Sequence, residues 1–302
     1  MKFEGSLLSQ IERFRSHVRS YYSYLKSLEA DIKEKMKFEI RKVNNNYNFL
    51  YFLKNKKVVG VDGSQILPLR ELGIPIGLIQ VAKVCILHGL GKFEVKHYSA
   101  LTSIEENIDL KRFKMEVEVV MEECEDGGWL FLDGPLYPAF IVELNKKLRE
   151  EYLAVVNSLL KKTKKYNTPV IGYIDKSFAK DLSKKFGFEK VYDSHILSTL
   201  KLFSYTQPFE TEHEDILFSY VKLNPSYPAR IEFPKWMVDM HDEVIKVVIA
   251  ECLLSITKGY PYILERAHKY ALIKNKEKLV FMEAVGCYDP SFKWISKIEL
   301  TK

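Results

Sequence analysis

The chain has 302 residues, 47% hydrophobic and 13% aromatic, enough for a full globular core as one large domain or two small ones. Its four cysteines, Cys85, Cys124, Cys252 and Cys287, are far apart and form no Cys-x-x-Cys, which argues against a structural zinc or a disulfide framework and favours a reducing, cytoplasmic setting. Residues 1–5 lack the apolar core of a signal peptide, the longest apolar stretch at 74–87 is short and broken by Lys83, so no membrane span is expected, and the net charge of +6 suits polyanionic partners without requiring them.

The apolar residues Leu7, Ile11, Phe14, Val18, Tyr21, Leu25, Leu28 and Ile32 recur in alternating steps of four and three, the heptad seam of a long amphipathic helix. Ser6 reads as its N-cap and Asn44-Asn45-Asn46 as its stop. A seam this narrow packs on its own chain or joins a dimer interface, and the sequence leaves both open. From Asn48 the pattern changes to short β-rich runs at 57–62, 76–87 and 94–101, expected as adjacent antiparallel strands. A helix is expected over 104–124, with Phe113, Val117, Val120 and Cys124 on one face, then a buried strand at 129–133. Next come a helix at 137–165, a strand at 169–175 and a helix at 178–186 capped by Ser177. Runs at 216–221 and 229–233 read as a β-hairpin around Asn224-Pro225-Ser226, and helices follow at 244–257 and 263–274, separated by Gly259-Tyr260-Pro261. The expected fold class is α/β: a mixed sheet flanked by helices over 49–302, an N-terminal helix over 1–48, a helical C-terminal part, and a candidate insertion at 193–236 carrying the hairpin.

Twice an apolar run leads straight into Asp-Gly: Val58-Val59-Gly60-Val61-Asp62-Gly63-Ser64 and Trp129-Leu130-Phe131-Leu132-Asp133-Gly134-Pro135. A carboxylate fixed at the end of a buried strand suits a divalent cation, and the glycine beside it lets a neighbour come close; Asp-Gly is equally a turn signal. Glu116, three residues after Phe113 and four before Val120, lies at the edge of the helix face turned towards the sheet, whereas Glu118 and Glu122 point towards solvent. Arg112 is one turn before it, placed to orient it or to form an ordinary exposed pair. His268 follows Leu264 and Ala267 and precedes Ala271, a pattern that puts it on the buried side of its helix, where a core histidine and a ligand are both in play. Lys176 directly follows a strand, as a phosphate contact or an exposed loop lysine.

Taken together these pieces resemble the NurA family of archaeal and bacterial nucleases with a ribonuclease H-like fold. The resemblance rests on Val59-Gly60-Val61-Asp62-Gly63-Ser64-Gln65, Arg112-x-x-x-Glu116, Leu132-Asp133-Gly134-Pro135-Leu136, Ile171-Gly172-Tyr173-Ile174-Asp175-Lys176, and Tyr260-Pro261-Tyr262-Ile263-Leu264 through Ala267-His268. It implies that Asp62, Glu116 and Asp133 are acidic metal ligands, that His268 completes the set, and that Lys176 contacts the scissile region or its phosphate. It also implies a 5′ to 3′ exonuclease on DNA, with single-strand endonuclease activity alongside, working as a homodimer with a hexameric HerA-type ATPase in end resection for recombinational repair. The chain has no Gly-x-x-x-x-Gly-Lys-Ser/Thr, so ATP dependence would come from that partner.

Phosphodiester hydrolysis needs an activated water and charge neutralisation at phosphorus, which two hard cations about 4 Å apart supply. Oxygen ligands suit Mg²⁺ or Mn²⁺, and a histidine in the set tilts the preference to Mn²⁺. Two other classes stay in view: a non-catalytic DNA-binding or ATPase-adaptor subunit, and a phosphohydrolase with a nucleophilic aspartate. The latter usually carries a second aspartate two positions on, where this chain has Ser64.

Overall fold

Alternating β-branched runs build the centre of the molecule, and the structure, a computed structural model, describes residues 5–35, 37–43, 48–68, 75–257 and 259–286. In chain order the first elements are α1 (Gly5–Ser27), α2 (Glu29–Lys35), β1 (Ile40–Lys42) and α3 (Phe49–Leu53). A meander follows, β2 (Lys57–Ile66), β3 (Ile76–Leu87) and β4 (Lys92–Ser103), and after it α4 (Ile108–Glu122), β5 (Trp129–Asp133), α5 (Lys146–Tyr166) and β6 (Val170–Ile174). Short helices α6 (Asp181–Lys185) and α7 (Asp193–Ile196) lead to β7 (Ser204–Thr206), β8 (Phe209–Glu210), β9 (Ile216–Val221) and β10 (Ala229–Pro234). The last described elements are α8 (His241–Leu254), α9 (Tyr262–Ala271) and α10 (Asn275–Ala284).

Among the described residues all the strands join one ten-stranded sheet in the order β1-β7-β9-β10-β6-β5-β2-β3-β4, with β8 alongside β9. The antiparallel meander β2-β3-β4, with β5 parallel to β2 and β6 parallel to β5, is the ribonuclease H-like arrangement. Side chains on these central strands alternate between two cores. Val58, Phe131 and Ile171 pack with Val244, Ile263 and Leu264 of α8 and α9, while Val59, Val61, Leu130 and Val170 pack with Val117, Val156 and Leu159 of α4 and α5. Burial on both faces explains why these strands read as continuous apolar runs.

Several elements differ from the sequence expectation for local reasons. The N-terminal helix breaks at Leu28, whose amide bonds to the carbonyls of both Tyr24 and Leu25, and the seam divides there too. Leu25, Leu28 and Ile32 pack on Phe188, Val191 and Ile196, whereas Leu7, Ile11, Phe14 and Val18 are exposed. Ser6 falls inside α1 and not before it, and Asn44 to Asn46 lie outside the described residues. The helix expected from 104 starts later because the Asn107 side chain accepts from Leu110 N–H at 2.9 Å. The helix expected over 137–165 is a 3₁₀ turn, Ala139–Glu143, followed by α5, which Asn145 caps. Ser177 does not cap α6; its hydroxyl accepts from Ala179 N–H, and α6 begins at Asp181. The expected hairpin is present as β9 and β10, its turn held by Asn224 Oδ1 accepting from Ser226 and Tyr227.

Helix α9 is fixed to the meander along its whole length. Its N-terminal Ile263 N–H donates to the buried carboxylate of Glu251 at 2.8 Å, and its C-terminal Ala271 carbonyl accepts from Ser64 Oγ of β2 and from Gln80 of β3. Between these anchors Gly60 admits the helix: a Cβ there would lie 2.9 Å from the Ile263 carbonyl oxygen and 2.8 Å from its Cγ1. Gly60→Ala should therefore push α9 off the sheet and destabilise the protein by about 1–3 kcal/mol, seen as a lowered thermal midpoint; an unchanged midpoint would mean the contact is not tight.

Candidate metal centre

Parallel pairing of β2 with β5 sets Val61 beside Leu132, so the next residue on each strand, Asp62 and Asp133, are also neighbours. Their side chains point to the α9 face, opposite to Val61 and Leu132. Asp133 ends its strand, as expected, but Asp62 does not: β2 runs on to Ile66, with Gly63 paired to Val81 of β3. The Asp-Gly of β2 is thus no turn. After Asp133 the chain does turn, through Gly134 at φ +124°, and the turn lies on Gly172 of β6, where a Cβ would come within 2.7 Å of the Gly134 carbonyl.

His268 reaches the same place from α9, with Nδ1 2.8 Å from Asp62 Oδ2. It is not a core histidine: its side chain is 61% exposed, because the helix turns this edge outward while Leu264, Ala267 and Ala271 pack below. One ligand atom each from Asp62, Asp133 and His268 lie within 4.8 Å of one another, a grouping that can hold a metal ion. The other Asp62 oxygen accepts from Gly63 N–H at 2.8 Å.

Glu116 arrives from the opposite layer. It extends from α4 into the space that Gly63 leaves open, where a Cβ would stand 2.4 Å from Glu116 Oε1. The glycine therefore serves a glutamate on a helix, a neighbour that the sequence pattern does not identify. Arg112 is the orienting partner, its Nε 3.6 Å from Glu116 Oε1. Glu118 and Glu122 are exposed. A cleft of about 430 Å³ opens here, lined among others by Arg112, Glu116, Asp133, Phe140 and Tyr152.

The electrostatics are set by burial and by the closeness of like charges. Burial, then the nearby Asp62 and Asp133, push the Glu116 carboxyl up to about 8 against the opposing pull of Arg112. Burial and Asp62 push Asp133 up to about 6, although the residue is exposed at the cleft; the nearby Tyr260 hydroxyl pulls the other way. Asp62 is raised by burial and lowered by His268, Gly63 N–H and Arg112. Carboxylate oxygens with one imidazole, in a place that disfavours their own charge, fit a hard divalent cation.

Tyr260 has no role in the sequence reading. Its proximity to Pro261 and the α9 entry was the available signal, since that turn is pinned when Tyr173 donates to the Gly259 carbonyl. Lys176 stands apart from the carboxylates. It is exposed and lines a second cleft, which shares only the Pro135 wall with the first.

Glu116 favours its neutral form only when folded, so the folded state retains a proton that the unfolded chain has lost between about pH 4.5 and 8. Stability of the metal-free protein should fall as pH rises through that window. The thermal midpoint in chelator should decline from pH 5 to 8, Glu116→Gln should flatten the decline, and added Mn²⁺ should raise the midpoint most at pH 8, where protons compete least. A pH-independent midpoint in chelator would contradict this.

The NurA domain family matches residues 56–273, a span that holds both Asp-Gly strands, α4 and α9. The crystal structure of NurA bound to dAMP and manganese covers 97% of this chain and 99% of its own at 11% identity and a TM-score of 0.57. A second crystal structure of NurA covers the same shares at 11% identity and a TM-score of 0.52. At this identity the likeness establishes the fold. No curated protein matches the chain by sequence. Among the described residues no helix is long and apolar enough to cross a membrane. With the family pattern matched across most of its length, the chain belongs to the NurA family.

Proposed function

We propose that this protein is a Mn²⁺-dependent DNA nuclease, with Mg²⁺ as the second choice of metal, whose ligands are Asp62, Asp133 and His268 with Glu116. The observation that carries this reading is the convergence of Asp62, Asp133 and His268 from β2, β5 and α9, with Glu116 of α4 reaching Gly63 beside them. The similar NurA structure bound to dAMP and manganese supports the same metal and a nucleotide-containing substrate.

Each residue has a physical task. Asp62 is held by Gly63 N–H and faces His268, so the two present an oxygen and a nitrogen to one position. Asp133 lies beside the Tyr260 hydroxyl and remains open to the cleft, where a phosphate can approach. A bound divalent ion would lower the pKa of a water and neutralise charge on the phosphate. Glu116, nearly neutral on its own at pH 7, would ionise as positive charge arrives and accept a hydrogen bond from the attacking water or ligate directly. Lys176, exposed beyond β6, would take the charge of an adjacent phosphate.

Within this reading residues 49–302 form the nuclease domain, with 193–236 as its insertion, and 1–48 form an arm. Family resemblance supports a 5′ to 3′ exonuclease with single-strand endonuclease activity, acting in end resection beside a hexameric HerA-type ATPase. The exposed half of the α1 seam, Leu7, Ile11, Phe14 and Val18, supports a homodimer, and the scattered cysteines support a reducing, cytoplasmic setting.

Asp62→Asn and Asp133→Asn should each lower Mn²⁺-dependent digestion of end-labelled DNA by more than about 100-fold while preserving the fold by circular dichroism. Wild-type rates in either variant would end the proposal. Comparing 5′- and 3′-labelled duplexes reads the polarity. Size-exclusion of the protein mixed with a HerA-type ATPase should show one complex at micromolar concentration, and separate elution would remove that partner.

A further inference from the structure

Phe178 is 79% exposed. It lies between Lys176 and Lys180, on the loop from β6 to α6 that borders the second cleft, a space of about 480 Å³. Removing a phenylalanine from water is favourable, so a ring left outside in a well-held loop forgoes that gain.

The loop is held firmly. Ala179 N–H donates to Ser177 Oγ, and the Ala179 carbonyl accepts from Asp193 N–H at 3.0 Å. The buried Asp193 carboxylate in turn accepts from Leu182 and Ser183 N–H and from the Tyr220 hydroxyl. Phe178 meets Tyr192 edge-on, ring centroids 5.9 Å apart at 74°, and Lys180 lies 4.9 Å over the same tyrosine. The phenylalanine thus has a fixed position and ring surface open to solvent.

Around it stand lysines with unspent charge. Arg230 on the cleft floor is neutralised by Asp181 and Glu232, whereas Lys176, Lys180 and Lys184 are in no ion pair among the described residues, and Glu143 and Glu212 lie on the same cleft's wall. An open aromatic face flanked by free ammonium groups is the combination that single-stranded nucleic acids use, base on ring and phosphate on lysine.

We infer that Phe178, with Lys180 and Lys184, forms a subsite that stacks one nucleobase of a single DNA strand and holds its flanking phosphates, next to the metal centre across Pro135. The inference rests on the nuclease reading for its substrate. Duplex DNA, whose bases are already stacked on one another, gains nothing from the ring. The subsite therefore favours single strands and frayed ends.

The test uses the full chain carrying Asp62→Asn, so that binding is read without turnover, with fluorescein-labelled oligothymidylate as the probe. Adding Phe178→Ala should weaken binding of the single strand about fivefold or more and leave duplex binding unchanged, and Phe178→Trp should restore it. A single abasic site moved along the strand should cost affinity at one position, and that dependence should vanish in Phe178→Ala. Lys180→Ala and Lys184→Ala should each reduce the slope of log affinity against log salt by about 0.7. Equal affinity and an unchanged abasic profile in Phe178→Ala would overturn the subsite. If these binding effects appear but the wild-type chain leaves DNA intact with Mn²⁺, the subsite stands and the nuclease reading falls; normal digestion with no Phe178 effect reverses that outcome.

Discussion

Like charges held close together are the constraint on which this structure depends. At an effective dielectric near 20, two carboxylates about 5 Å apart repel by roughly 3 kcal/mol, a large part of the 5–15 kcal/mol that ordinarily separates folded from unfolded chains. Asp62 and Asp133 nevertheless come together with Glu116 nearby, because each belongs to an element fixed by something stronger. Asp62 lies within and Asp133 ends an apolar strand buried on both faces, and Glu116 is carried by a helix whose Val117 and Val120 are buried. Burial first, and then this repulsion, displaces Glu116 and Asp133 upward, and protons or a cation relieve both.

The same arrangement separates rigidity from access. Beneath the site the packing is dense: Glu251 caps α9 and also faces His88 at 2.7 Å, and Lys83, buried within β3, is paired with Glu123 at 2.6 Å. Above it, His268 and Asp133 face solvent. Lys83 and Glu123 thus neutralise each other beside the sheet, and the carboxylates of the candidate centre stand where a ligand can enter. The two clefts on either side of Pro135 have different chemistry, one with carboxylates and aromatic walls and the other with lysines and an open phenylalanine.

Much of the central sheet was legible because runs such as Val58 to Val61 and Leu130 to Leu132 allow little except a strand buried on both sides. The spacing of Glu116 from Phe113 and Val120 gave its direction correctly, since helical period is a local property. Asp62 was read as a strand end because Asp-Gly is a frequent turn pair; the continuation against β3 is a tertiary fact that propensity does not encode. His268 was assigned to the buried side from three small or apolar neighbours, but α9 packs so close at Gly60 that its buried stripe is narrow. Tyr260 and Glu251 act through partners remote in sequence; Pro261 and the entry to α9 are the local signal beside Tyr260, and nothing local marks Glu251. The β9–β10 hairpin is legible in its two apolar runs, whereas β7, β8 and the pairing of β1 with β7 rest on short, irregular runs that could not announce them.

The hydrogen bond between Asp62 and His268 spans 206 positions of the chain. A polypeptide leaving the ribosome presents both aspartates and the glutamate long before the helix bearing the imidazole emerges, and contacts of such long range form late in folding. The grouping of Asp62, Asp133 and His268 therefore closes only after α9 has emerged. Until then the candidate metal centre is incomplete, so the order of the sequence itself delays its assembly.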